Sequence, residues 1–101
     1  MKDYDSHTKI NGDYSFGIKD GMHYLVELKT GEKVALEGVD KAFPLSVKNE
    51  DTNSTELALV VRKDQAWYMI DTKGETIYTF EQTELTENSK LTLKDNKLQV
   101  E

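Results

Sequence analysis

The chain has 101 residues, a length typical of one domain with one hydrophobic core. It contains no cysteine, which excludes a disulfide framework and a thiolate zinc site. Its formal net charge of −6, with 37% apolar and 32% charged residues, favours a folded acidic domain and argues against direct binding to a nucleic-acid backbone.

The sequence predicts no membrane partner. Its longest apolar run, Leu57–Val61, is far shorter than the about 20 residues of a membrane-spanning helix. The opening letters MKDYDSHTK contain no apolar core of a signal peptide. We therefore expect a cytoplasmic protein if the chain is complete, or a bacterial surface or extracellular protein if Met1 replaces a removed leader.

The first predicted unit is a three-stranded meander over residues 14–36. Apolar residues alternate with small or polar ones from Tyr14 to Ile18, which indicates a strand. Asp20-Gly21 then predicts a tight hairpin turn, because glycine adopts a positive φ at low cost. A second alternating run follows, and Gly31 suits a left-handed position in the turn before a third strand.

The connection over residues 38–56 changes from apolar to polar along its length. We interpret residues 39–47 as a packed crossing segment that is broken at Pro44. Residues 49–55 are rich in turn-forming side chains and predict an exposed loop.

The second predicted unit, residues 57–80, repeats the pattern of the first at an offset of about 44 residues. Lys63-Asp64 matches Lys19-Asp20, and Tyr68 matches Tyr24. The strand before Asp64 is apolar at both alternating phases, which is typical of a central strand. Turns at residues 64–65 and 72–74 separate the three strands of this unit.

The C-terminal part predicts a polar connection over residues 81–89, compatible with one helical turn, and then a hairpin over residues 90–101 with its turn at Asp95-Asn96. The whole chain shows no sustained helical period. We therefore predict a single all-β domain over residues 1–101, with about eight short antiparallel strands arranged as a small barrel or sandwich.

Residues 57–77, LALVVRKDQAWYMIDTKGETI, resemble the WG-repeat pattern. The stretch YLVELKTGEKV of the first unit resembles the hairpin that recurs in β-propeller blades. Tyr68 replaces the glycine of that pattern, and the first unit has His23 for its tryptophan and Tyr24 for its glycine. The resemblance implies repeated hairpins that serve as interaction surfaces in bacterial proteins, and it implies no catalytic residue. The positions that match are Trp67, Ile70, Asp71, Gly74 and Ile77.

Four aromatic residues are the predicted binding residues: Tyr24, Trp67, Tyr68 and Tyr78. Trp67 and Tyr68 are consecutive, so in a strand they point to opposite faces, and one of them should fill the core. Exposed aromatic side chains are favoured anchors of interfaces. We predict a Tyr24–Tyr68 pair on the outer face, with the alternative that both tyrosines belong to the core.

The polar residues predict no catalytic group, no metal site and no cofactor. His23 is expected at the surface or at a strand edge, in preference to a role as general base or metal ligand. Asp3, Asp5 and Asp13 lack the spacing of a calcium loop and are expected in solvated loops. Asp71 is expected to cap the turn over residues 72–74.

These patterns predict a non-enzymatic protein-interaction module of bacterial type that binds a protein or peptide. The alternative is a small acidic inhibitor, from a phage or a mobile element, that mimics nucleic acid and blocks a nucleic-acid enzyme. A partner released by moderate salt would favour the alternative. Open strand edges also predict a homodimer through edge pairing.

Overall fold

The computed structural model describes residues 3–81 and 84–100, and this part of the chain contains ten strands and no helix, hence no helix that crosses a membrane. The strands are β1 (Ser6–Lys9), β2 (Tyr14–Lys19), β3 (Met22–Glu27), β4 (Lys33–Leu36), β5 (Val39–Asn49), β6 (Ser54–Lys63), β7 (Ala66–Ile70), β8 (Thr76–Thr79), β9 (Leu91–Lys94) and β10 (Lys97–Val100). One sheet has four strands in the order β1-β2-β3-β4, and the other has six in the order β10-β9-β5-β6-β7-β8. The predicted all-β class is confirmed, with ten strands in place of about eight. The predicted antiparallel arrangement holds for the described pairings except that of β5 with β9, which is parallel.

Three two-residue turns connect neighbouring antiparallel strands. Asp20-Gly21, Asp64-Gln65 and Asp95-Asn96 have positive φ at both positions, between 50° and 80°. Two consecutive positive φ values define the type I′ turn, whose twist matches that of the strands it joins. All three turns lie where the sequence predicts them.

Each predicted unit forms an antiparallel meander, but the two meanders belong to different sheets. Strands β2, β3 and β4 lie in the four-stranded sheet, whereas β6, β7 and β8 lie in the six-stranded sheet. Strand β1 has no counterpart among the predicted strands, and it extends the first meander by pairing with β2. Its four exposed residues contain no apolar alternation that would have revealed it.

Pro44 does not break the connecting segment, and this prediction is wrong. Strand β5 runs without interruption from Val39 to Asn49, and Pro44 is paired with Leu59 of β6. Strand β9 joins the other side of β5 only at Val47–Asn49. Among the described strands, β6 is thus the only neighbour of β5 at Pro44. The Glu50 N–H donates to the Leu93 carbonyl oxygen of β9, so the even-numbered positions of this part of β5 direct their N–H away from β6. An N–H at Pro44 would therefore point to the side without a neighbouring strand, and its absence leaves no ladder bond unmade. The loop is also shorter than predicted, because β6 begins at Ser54.

The described part of the predicted polar connection contains a turn and no helix. The Ser89 N–H donates to the carbonyl oxygen of Thr86 at 3.0 Å. Leu85 is buried in this segment, which therefore contributes to the core in spite of its polar composition. Gln82 and Thr83 of the predicted connection, and Glu101 of the predicted hairpin, lie outside the described residues.

The first core lies between the two sheets. Leu59, Val61 and Ile70 project from one face of the six-stranded sheet. They pack with Phe16, Leu25 and Leu36 of the four-stranded sheet and with Ile10, which follows β1. This arrangement confirms β6 as a central strand with two apolar faces, because Ala58 and Val60 project from its other face into a second core.

The second core lies within the six-stranded sheet alone. Its members come from both ends of that sheet, with Phe80 just after β8 and Leu91 on β9. Residues so far apart in strand order meet only if the sheet curls, and the six strands accordingly form a half-barrel around this core. The other buried members are Phe43, Leu45, Val47, Ala58, Val60, Trp67 and Leu85.

Asp51 attaches the C-terminal hairpin to the loop between β5 and β6. Its carboxylate accepts the Asp95 N–H at 2.9 Å and the Asn96 N–H at 3.1 Å. These two donors, that of Asp95 first, hold the pKa of Asp51 below its usual value. The β9–β10 turn is therefore anchored by a residue more than forty positions earlier in the chain.

Candidate functional site

A groove of about 360 Å³ borders the second core of the half-barrel, whose members Val47 and Ala58 are among its lining residues. Every strand of the six-stranded sheet contributes at least one residue to its lining. Most of these side chains are apolar, including Leu57, Met69, Ile77, Tyr78 and Leu98, and Glu56 is the one acidic residue among them.

The groove collects most of the exposed apolar surface of the described residues. Of the four large apolar side chains left exposed there, Leu57 (48%), Ile77 (59%) and Tyr78 (38%) line the groove, and Leu28 lies elsewhere. Single exposed apolar side chains are ordinary on protein surfaces. Three of them in one concavity mark a surface suited to a partner or ligand.

A register shift between β7 and β8 lies where two consecutive residues of β8 line the groove. The pairing of β7 with β8 passes from Met69↔Tyr78 to Ile70↔Thr76, which leaves Ile77 as the extra residue. In a regular strand the side chains of Ile77 and Tyr78 would point to opposite faces, and a bulge re-aims one of them. The Tyr78 ring also packs edge-on against Phe80 at 5.0 Å, so the groove is continuous with the second core.

Tyr24, a predicted binding residue, lies on the outer face of the four-stranded sheet. The next residue, Leu25, belongs to the core between the sheets, so Tyr24 points away from that core. Its half-buried ring meets the Tyr4 ring edge-on at 6.0 Å between centroids. The Lys33 Nζ lies 4.9 Å from the centroid of the Tyr24 ring, within the range of a cation–π contact.

The structure does not bring Tyr24 and Tyr68 together, and the predicted outer-face pair is wrong. Tyr68 is half-buried and packs against the core between the two sheets, whereas Tyr24 points away from it. The matching positions separate because the two meanders belong to different sheets. A separate role of either tyrosine in binding stays a prediction.

Trp67 fills the second core, as predicted for one member of the Trp67–Tyr68 pair. It is 2% exposed, and its ring centroid lies 5.4 Å from that of Phe43. A side chain this deeply buried has almost no surface to offer a partner. Tyr24 and Tyr68 are half-buried, so Tyr78, at 38% exposed, is the most exposed of the four predicted binding residues.

His23 is buried, which contradicts the prediction of a surface or edge histidine. It is 8% exposed and lies on β3 near the start of β5. The sequence places His23 and Leu25 in one phase of β3 and Tyr24 and Val26 in the other. Both phases contain apolar residues, so the pattern alone does not say which phase faces the six-stranded sheet. In the structure, the phase that contains His23 and Leu25 faces that sheet.

Burial lowers the pKa of His23, and the nearby carboxylate of Asp40 and a hydrogen bond with the Val39 backbone oppose this effect only in part. The Nδ1 atom is buried and has no hydrogen-bond partner among the described residues. The folded protein therefore favours the neutral imidazole more strongly than the unfolded chain does.

We expect the free energy of unfolding to decrease as the pH falls below the unfolded pKa of 6.5. In the window from 6.5 down to the lowered folded-state pKa, the unfolded chain binds more protons at His23 than the folded protein, so stability rises with pH there and is constant above it. Urea titrations at several pH values from 7.5 to 5.0 measure this slope. The dependence of the unfolding free energy on pH should become shallower in His23→Gln. An unchanged dependence would mean that titratable groups other than His23 cause it.

Two of the acidic residues near turns accept backbone hydrogen bonds. The Asp71 Oδ1 accepts the N–H groups of Lys73 and Glu75, each at 2.9 Å, which confirms the predicted turn cap. The Asp5 carboxylate accepts the Asp20 N–H at 3.0 Å, where it supports the β2–β3 turn. Within residues 3–81 and 84–100, no three His, Asp or Glu side chains are grouped so as to hold a metal ion.

Comparisons of the chain with protein-family models, with curated proteins and with solved structures find no match. The likeness to WG repeats and to propeller-blade hairpins therefore stays a prediction. The groove is the main feature that sequence reasoning missed. Its only local signal is β8 itself, an uncharged run of β-branched and aromatic residues.

Proposed function

We propose that this chain is a non-enzymatic protein-interaction module and that its binding surface is the groove of the half-barrel. The observation that carries the proposal is the gathering of Leu57, Ile77 and Tyr78 in one concavity. Large exposed apolar side chains favour association, because burying them against a partner removes their surface from water. Tyr78 supplies the aromatic anchor that is enriched at the energetic centres of interfaces.

The expected partner is a protein or peptide that presents apolar side chains flanked by basic ones. The chain has a formal net charge of −6, and Glu56 lines the groove beside the apolar residues. Opposite charge accelerates association and disfavours acidic competitors. This chemistry is consistent with the expectation that the chain does not bind a nucleic-acid backbone directly.

The test compares variants on and off the groove. We expect the tagged protein to capture a partner from its native cells, and Tyr78→Ser to reduce that capture about tenfold or more, as expected for an interface anchor. Leu28→Ser is the matched control, because Leu28 is also an exposed large apolar residue but does not line the groove. Equal capture by the two variants would contradict the proposal.

Elution with increasing salt in the same experiment separates the two predicted functions. A partner held by apolar contacts should survive 1 M salt, at which the screening length is only about 3 Å. Release at moderate salt, together with capture that does not depend on Tyr78, would support the acidic nucleic-acid mimic instead.

A further inference from the structure

Strand β8 is an open edge of the six-stranded sheet. It pairs with β7 on one side and is the last strand in the sheet order. All four of its residues, Thr76–Thr79, are exposed. An open edge presents backbone N–H and C=O groups to which an additional strand can bind.

The ladder with β7 identifies the backbone groups that face outward. The Phe80 N–H donates to the carbonyl oxygen of Trp67 at 2.9 Å, and Tyr68 is paired with Thr79. In an antiparallel ladder this pattern makes Tyr68 and Thr79 a non-hydrogen-bonded pair. The N–H and C=O of Thr79 therefore point to the free side of β8.

Strand β8 is the only edge strand among the described residues without a charged side chain. The other three edges each contain a lysine: Lys9 in β1, Lys33 in β4 and Lys97 in β10. A lysine on an edge strand opposes unwanted strand pairing. The residues of β8, TIYT, are instead β-branched or aromatic, the types that pair well in sheets.

Charges at the two ends of β8 indicate what the added strand should carry. Glu75 precedes the strand and Glu81 follows shortly after it, and both are exposed. Lys73 lies in the turn before Glu75, on the far side of Gly74. An incoming segment with a basic residue near each end would place those charges beside the two carboxylates.

We propose that β8 binds an extended peptide segment of a partner protein as a seventh strand of the half-barrel sheet. Backbone hydrogen bonds to Thr79 hold the segment, and alternate apolar side chains lie beside Tyr78 in the groove, flanked by basic residues. Strand addition of this kind takes its affinity from the main chain and its specificity from alternate side chains. The inference rests on the proposed interaction function and specifies the partner's conformation and chemistry.

A random 12-residue peptide library displayed on phage is the probe. We expect the enriched peptides to share alternating apolar residues with Lys or Arg on both sides. Their binding should fall at least tenfold in Thr79→Pro, which removes the outward N–H at an edge position where proline is tolerated. Thr79→Val is the matched control and should retain binding, because it keeps the N–H.

A second measurement does not depend on how the proline variant folds. The tightest enriched peptide is synthesised in two N-methylated forms. One form is methylated at the odd-numbered residues of the apolar run, and the other at the even-numbered residues. Only one alternate set of N–H groups can face β8, so one form should lose affinity at least tenfold while the other binds as the parent does. Equal affinities of the two forms would overturn strand addition.

Other outcomes separate this inference from the proposed function. Peptides that are lost in Tyr78→Ser but bind Thr79→Pro normally would leave the groove as the interaction site and overturn strand addition. An absence of enriched peptides would overturn recognition of an extended segment, whereas a captured folded partner would retain the proposed function. A dimer of the wild type that Thr79→Pro abolishes, measured by light scattering, would make a second copy of this chain the occupant and overturn the partner peptide.

Discussion

Trp67→Ala should lower the free energy of unfolding by about 3–5 kcal/mol, the usual cost of truncating a buried tryptophan. Trp67 is almost fully buried in the half-barrel core and packs against Phe43. The remaining side chains of a close-packed sheet can refill the resulting cavity only in part. Urea denaturation of the wild type and the variant, followed by circular dichroism, measures the difference.

Tyr78→Ala is the matched control for Trp67, because both residues were predicted from sequence to bind a partner. Tyr78 is more than one third exposed, although it contacts Phe80, so its truncation should cost the fold no more than about 2 kcal/mol. Capture of a partner should depend on Tyr78 even where the variant remains folded. A stable Trp67→Ala protein with weakened capture would contradict the structural role that we assign to Trp67.

Gly74→Ala is the second substitution for which we expect a large effect. Gly74 has φ +84°, and a Cβ there would lie 2.8 Å from the Val34 Cγ1 atom of the other sheet. The left-handed backbone costs an alanine about 1–2 kcal/mol. Overpacking against Val34 should cost about 1–3 kcal/mol more. Urea denaturation measures the sum.

Gly31→Ala separates these two costs, because Gly31 occupies the matching turn of the first meander. It also has a positive φ, +77°, but apart from its own atoms and its two neighbours in the chain, no described atom lies within 4 Å of its added Cβ. It should therefore show the backbone cost alone. In the double variant Gly74→Ala/Val34→Ala, the shortened Val34 side chain leaves room for the added Cβ. The loss of unfolding free energy in this double variant should therefore be smaller than the sum of the losses in the two single variants. Equal losses of unfolding free energy in Gly74→Ala and Gly31→Ala would contradict a close contact between the β7–β8 turn and β4.

Short-range rules account for the features that the sequence predicted correctly. The type I′ turns follow from residues such as Asp20-Gly21 that tolerate positive φ, whatever the rest of the chain does. The Asp71 cap closes within four residues, so its spacing is already visible in the sequence. The alternation in β6 shows two apolar faces, which identifies a central strand before its neighbours are known.

The errors have a common origin in contacts between distant residues. Period-two alternation defines the two faces of a strand but does not say which face meets which sheet. It therefore leads to the two wrong predictions, a His23 at the surface or an edge and a Tyr24 beside Tyr68. Pro44 is tolerated inside β5 because β9, more than forty residues later, joins that strand only beyond it. Neither fact can be derived from the residues next to the position concerned.

The strands of the two meanders, the three type I′ turns and the all-β class follow from the amino-acid sequence, because they depend on backbone sterics and side-chain alternation over a few residues. The assignment of the two meanders to different sheets, the curling of one sheet into a half-barrel, and the groove with its open β8 edge depend on how strands far apart in the chain pack. Such pairings are selected by the total apolar surface that they bury, a property of the assembled fold. The candidate site belongs to this second group, because its bulge and its lining residues from six strands come together only in the folded chain.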